Sequence, residues 1–177
     1  MAKIKFVTVA IIVLTFGLSA TINAPGTDVD LGNLPVISED DPPCLQMYYY
    51  IEKYSQEYSI PRKYAYGVAY IETRYEGPFD WNYNHAQTSY AGALGPMQIM
   101  PATAKLINGR SIPNQTLKTD IELNVKTSMK LLRRLKNKYG DWKVVFGCYN
   151  TGRPIVNDYA HKVYNFDPVW APTAMKK

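Results

Sequence analysis

The stretch Tyr64-Ala65-Tyr66-Gly67-Val68-Ala69-Tyr70-Ile71-Glu72-Thr73-Arg74-Tyr75 decides how this chain is read. Eight residues, Tyr64 to Ile71, pass without a charge. A helix that is apolar all round is buried in a domain rather than laid on its surface. Ser59-Ile60-Pro61 supplies a start signal with proline in the first turn, and the pattern predicts a helix from there through about Tyr75. Glu72 closes the uncharged run, sharing a face with Val68, Ala69 and Tyr75. A carboxylate on an apolar face loses hydration, so its neutral form is favoured. That is the state a general acid needs near neutral pH. The plainer alternative is a glutamate paired with Arg74 or with a lysine at the helix end.

Downstream lies Gly92-Ala93-Leu94-Gly95-Pro96-Met97-Gln98, followed by Ile99-Met100-Pro101-Ala102-Thr103-Ala104. The glycines permit tight turns and close approach of a ligand. The amide of Gln98 can both donate and accept, which suits sugar hydroxyls and acetamido groups, and Met97 offers a soft apolar wall. Further on, Cys148-Tyr149-Asn150-Thr151-Gly152 reads as a helix end with a glycine stop. Taken singly, the first of these is a turn before a helix and the second a helix terminus.

The remaining periodicity predicts a mostly helical fold. Leu45 to Tyr58 forms a first helix, and Pro101 to Ile107 a short one. Thr119 is expected to cap a long helix reaching about Tyr139, with Ile121, Val125, Ser128/Met129, Leu132 and Leu135 on one face. Gly140 ends it, Asp141 caps a helix through Tyr149, and a last helix follows Pro154. Residues 76–95 form a long loop with room for a short hairpin over 79–92, and the tail after Phe166 is irregular.

The three motifs, in this order and at this spacing, resemble the lytic transglycosylase domain of the soluble lytic transglycosylase type, in the lysozyme-like superfamily. The family pattern is a helix ending Glu-Ser-x-Phe/Tyr, then Gly-Ala-x-Gly-Leu-Met-Gln-x-x-Pro-x-Thr-Ala, then Ala-Tyr-Asn-x-Gly, and the likeness covers about 44–165. Here Thr73 stands for the usual Ser, Pro96 for Leu or Val, and Cys148 for Ala. The loop between Tyr75 and Gly92 is longer than in many relatives and holds Phe79, Trp81, Tyr83, His85 and Tyr90. The resemblance implies a lysozyme-like α-helical domain with a groove-lining loop. It implies Glu72 as general acid and then base, with Gln98, Tyr149 and Asn150 positioning a muramyl sugar and Met97, Thr73 and Tyr75 completing the groove. No cofactor or metal is expected. Hydrolysis of the goose-lysozyme kind is the nearest alternative, and Asp80 is the loop acid that would then position water. A non-catalytic wall-binding module is the next.

Composition bounds the setting. The chain has 177 residues, 46% of them hydrophobic, with 15 tyrosines, a residue that suits sugar-gripping walls and cores alike. Lys3 and Lys5 precede the apolar run Phe6 to Leu18 and the small residues Gly17, Ser19 and Ala20, the form of an export signal over 1–20. The other reading of that segment is an uncleaved anchor tethering the chain to a membrane. An acidic Pro/Gly linker over 21–43 follows, then a catalytic domain over 44–166 and a tail over 167–177. The whole chain carries +5, residues 1–24 carry +2 and residues 25–43 carry −5, leaving +8 for residues 44–177. A basic module suits an anionic partner. With an export signal, that partner is expected to be peptidoglycan glycan strands in the periplasm or cell envelope and not nucleic acid. The basic residues over 130–138 read as a solvated helix face, and a monomer is expected.

Cys44 and Cys148 are the only cysteines, and either one disulfide or two separate buried thiols fits an exported chain. The setting of Cys148 reads as structural rather than nucleophilic. The only histidines, His85 and His161, lack metal-site spacing.

Overall fold

The computed structural model describes residues 36–169. The leader over 1–20, most of the linker and the end of the tail lie outside the described residues. Among the described residues there are seven helices: α1 Pro43–Glu57, α2 Arg62–Thr73, α3 Pro101–Asn108, α4 Asn114–Thr119, α5 Ile121–Tyr139, α6 Trp142–Thr151 and α7 Asp158–Tyr164. None is long and apolar enough to cross a membrane. The loop between α2 and α3 holds no strand, only the isolated antiparallel bridges Thr88–Leu94 and Leu94–Ile99, so the short hairpin for which 79–92 had room is not formed.

The long helix α5 is the axis of the fold. It packs against α1, α6, α3 and α4, while α7 lies across α6 and α2. Its buried residues Ile121, Val125, Met129 and Leu132 recur at helical spacing. They meet Met47, Ile51 and Tyr54 of α1 and Val145 and Phe146 of α6 in one core cluster. Much of the tyrosine content belongs to this core. Tyr50, Tyr54, Tyr64, Tyr66, Tyr75 and Tyr83 are all buried. Tyr66 donates to Glu52 at 2.6 Å and Tyr75 to the carbonyl of Cys44 at 2.8 Å, so each phenol keeps the partner that burial demands.

The structure corrects two expectations, the cap of α5 and the end of α2, and decides between the two readings left open for the cysteines. The cap of α5 is Asp120, whose Oδ1 accepts from the Leu123 N–H at 2.8 Å. Thr119 instead ends the short helix α4 and donates its hydroxyl to Gln115. A carboxylate is the stronger acceptor at a positive helix terminus. Helix α2 stops at Thr73 rather than Tyr75, because Arg74 takes the left-handed conformation with φ 60° and ψ 36°. Cys44 and Cys148 are two separate buried thiols. One lies in the first turn of α1 and the other near the end of α6, and α5 packs against both helices.

Candidate active site

Glu72 occupies the last turn of α2, half-buried above the fully buried Val68 and Ala69. Its Oε1 accepts a hydrogen bond from the Tyr159 hydroxyl at 2.6 Å. Burial pushes the Glu72 carboxyl up to about 7, against a smaller downward pull from the Tyr159 hydrogen bond. The ion pair weighed in the sequence is absent. Among the described residues the salt bridges join Lys53 to Glu122 and Arg62 to Glu52. Arg74 turns away at the helix end, its guanidinium 5.3 Å from the centre of the Tyr70 ring. No second carboxylate contributes to the Glu72 shift. The field of Asp80 falls on Cys44 and Tyr83 instead.

Two phenols face this acid. Burial first, and the charge of Glu72 second, push Tyr149 and Tyr159 well above the usual phenol range. Both therefore stay protonated and act as donors. The Tyr159 proton goes to Glu72. Tyr149 gives its proton to the carbonyl of Met97 at 2.7 Å and accepts from Ser128 Oγ at 2.9 Å. Tyr149 is thus spanned between α5 and the loop that carries Met97.

That loop is fastened from three sides. Thr73, next to Glu72, donates to the carbonyl of Pro96 at 2.8 Å and lies 2.8 Å from the Tyr83 hydroxyl. Asn124, fully buried on α5, donates from Nδ2 to the carbonyls of Leu94 at 2.9 Å and Leu117 at 2.8 Å, and accepts at Oδ1 from the Met97 N–H at 2.9 Å. Every hydrogen of the Asn124 amide is thereby used, which a buried amide requires. Gly95 must be glycine. Its φ is 76°, and a Cβ there would stand 2.5 Å from Asn124 Nδ2 and 2.7 Å from the Leu117 carbonyl. Gln98 also takes a positive φ, 48°. Its Nε2 donates to the Gly95 carbonyl at 2.7 Å and closes the turn.

The expected site residues thus divide. Glu72 and Tyr149 come near enough for the charge of the one to act on the phenol of the other, and Thr73 and Gln98 hold the loop beside them. Asn150 is exposed at the end of α6, where its Oδ1 accepts from Asn157 at 3.1 Å. Met97 and Tyr75 were expected to line the groove, but both are fully buried. Met97 acts through its main chain, and the Tyr75 hydroxyl is spent on Cys44. Their apolar surface is worth more in the core than against water.

Sequence reasoning missed Tyr159, Asn124, Ser128 and Asn157. Asn124 had only a weak signal: it is a polar residue beside Val125, but the buried side of this helix also carries Thr127 and Ser128, so polarity alone did not single it out. Tyr159 had none, because it stands 87 residues from Glu72 in the chain. A cavity of about 680 Å³ lies elsewhere, between residues 39–43, α1 and the α4–α5 junction, with His85, Asp120 and Glu122 in its wall. It includes none of the groups around Glu72, so the site is assigned by the acid and its partners and not by the size of a hollow.

The chain belongs to the transglycosylase SLT domain family, whose model matches residues 49–169. Among solved structures it is similar to the 70-kDa soluble lytic transglycosylase, determined in complex with bulgecin A, at 25% sequence identity and a TM-score of 0.50. The alignment covers 65% of this chain and 18% of that one, so this chain spans under a fifth of that protein. Among curated proteins none matches.

Proposed function

We propose that the protein is an exported lytic transglycosylase that cleaves the MurNAc–GlcNAc bond of peptidoglycan glycan strands, with Glu72 as its acid. The observation that carries this reading is the carboxyl of Glu72, held up to about 7 by burial, bonded to one phenol and influenced by no other carboxylate. Glycosidases with two acids divide the work between them. A single acid must both give and take the proton.

In the proposed cycle Glu72 protonates the glycosidic oxygen as its bond to C1 breaks. The substrate's own N-acetyl group stabilises the positive charge that develops at C1. The Glu72 carboxylate then removes the proton of the C6 hydroxyl, and O6 closes onto C1. The product is a 1,6-anhydro-MurNAc end, no water is consumed, and Glu72 regains its proton. Tyr159 donates to the carboxylate in the charged half of the cycle. The loop fastened by Thr73, Asn124 and Tyr149 holds Gln98 in place against the sugar, and Asn150 presents its amide to the acetamido group. The catalytic unit is residues 44–166, set behind the acidic linker and acting as a monomer in the periplasm or cell envelope.

Digestion of purified peptidoglycan by the protein and by Glu72→Gln, read by mass spectrometry, tests this. The substitution keeps the shape and removes the transferable proton. Anhydro-muropeptides from the wild type and a loss of at least about a hundredfold in the variant are expected, the scale of general acid catalysis. Products heavier by one water would mean a lysozyme-type hydrolase. Equal release by both proteins would remove Glu72 from the mechanism, and binding without release would leave a wall-binding module.

A further inference from the structure

Asn157, the residue before α7, makes two hydrogen bonds that together fix an orientation. Its Oδ1 accepts from the Ala160 N–H at 3.0 Å and caps the helix. Its Nδ2 donates to Asn150 Oδ1 at 3.1 Å. A backbone N–H can only donate, so the end of the Asn157 amide facing Ala160 must be its oxygen. The end facing Asn150 is then the nitrogen, which can only donate, so Asn150 must meet it with oxygen. One helix cap thereby sets two side-chain amides in series. Asn150 is exposed and follows Tyr149, whose phenol feels the charge of Glu72. Its oxygen is turned towards Asn157, so the far side of the Asn150 amide, the side turned away from Asn157, is Nδ2 with its two hydrogens.

We propose that Asn157 is a positioning residue that makes the site selective for N-acetylated sugar: it turns the Asn150 donors outward, where they match a carbonyl oxygen and mismatch an amine. The inference rests on the reading of Asn150 as the residue that meets the acetamido group. A de-N-acetylated sugar brings an ammonium, a donor with no acceptor capacity. Against an outward-facing NH2 it finds no partner, and its burial beside the site is penalised. Asn157 need not touch substrate to do this.

The test uses the catalytically silent Glu72→Gln protein and soluble uncrosslinked peptidoglycan glycan fragments, native or chemically de-N-acetylated, with affinity measured by calorimetry. The native fragments should bind at least about tenfold tighter, the worth of one good hydrogen bond set against one unpaired group. Asn157→Asp keeps the cap but offers Asn150 an acceptor, so the Asn150 amide turns and shows its oxygen. The preference should fall to about unity or reverse. Asn157→Ser keeps a cap, but its shorter side chain does not carry a donor as far as Asn150, so it should give an intermediate value, and it serves if the Asp variant does not fold. Adding the uncharged Asn157→Ser to Asn150→Ala should cause no further change in the preference, which a general loosening of α7 would not produce. If Asn150→Ala abolishes the preference and the Asn157 variants keep it, this inference fails alone. If Asn150→Ala keeps the preference, the assignment of Asn150 fails and takes this inference with it.

Discussion

At the scale of single residues, Glu72 is governed by two opposed effects of different size. Loss of water around the carboxyl raises its pKa, and the Tyr159 hydroxyl lowers it by bonding to the charged form. Burial wins, and the group titrates at about 7. Below that pH it is protonated and can act as acid, and above it the acid form is lost, so activity should fall as pH rises through 7. Tyr159→Phe keeps the ring and its burial but removes the bond to the carboxylate. The pKa of Glu72 should rise, and the alkaline limb of the pH–rate profile should move upward by up to about one unit, the worth of one charge-assisted hydrogen bond. Turnover should drop severalfold at low pH, where the shift does not help. A limb that stays in place, or moves down, would mean that Tyr159 does not tune this acid. Glu72 itself was legible, because a lone charge closing an uncharged helix is a local pattern. Tyr159 was not, because only the folding of α7 onto α2 and α6 brings it there.

At the scale of elements, the seat of α7 depends on backbone approach. A Cβ on Gly147 of α6 would stand 1.6 Å from the Ile155 carbonyl, and one on Gly67 of α2 would stand 3.0 Å from the Val163 carbonyl and from Phe166 Cβ. Helices α6 and α2 thus each lack a side chain where the segment carrying Tyr159 lies against them. Gly147→Ala must push residues 153–156 outward, because the atom in the way is main chain and cannot rotate aside. About 2–3 kcal/mol of destabilisation is expected, at the upper end of overpacking costs, together with loss of peptidoglycan turnover as Tyr159 and Asn157 shift. Gly152→Ala is the control. Its φ of 72° strains a side chain, but nothing lies within 4 Å, so about 1–2 kcal/mol is expected with the seat intact. Equal thermal midpoints for Gly147→Ala and wild type would overturn the argument. Neither glycine could be read this way from sequence, since a glycine inside a helix shows only that something is missing, not what occupies the space. Element types were legible where periodicity was long, as in α5. Its start was misplaced by one residue because Thr119 and Asp120 both make caps, and only the short helix α4 decides which hydroxyl or carboxyl is already used.

At the scale of the whole molecule, what holds the described domain together is helix packing around α5, with tyrosines supplying much of the core. The order of motifs made the lysozyme-like class legible. The linkage between the two cysteines was not, because their separation in space depends on how α1, α5 and α6 stack. The structure keeps them apart as buried thiols. The distinction has a large thermodynamic consequence: a bond closing a loop of about 100 residues would stabilise the fold by roughly 4–5 kcal/mol through the unfolded chain. Without it, the thermal midpoint should be the same with and without a thiol reductant. Two thiols per chain should react with a thiol reagent after unfolding under non-reducing conditions. In the native state Cys44 should react slowly, since burial pushes its thiol up and leaves little thiolate. A midpoint that falls by several degrees on reduction, with no free thiol beforehand, would require α1 and α6 to approach each other past α5, and the helix arrangement that brings Glu72, Tyr149 and Tyr159 together would have to be redrawn with them.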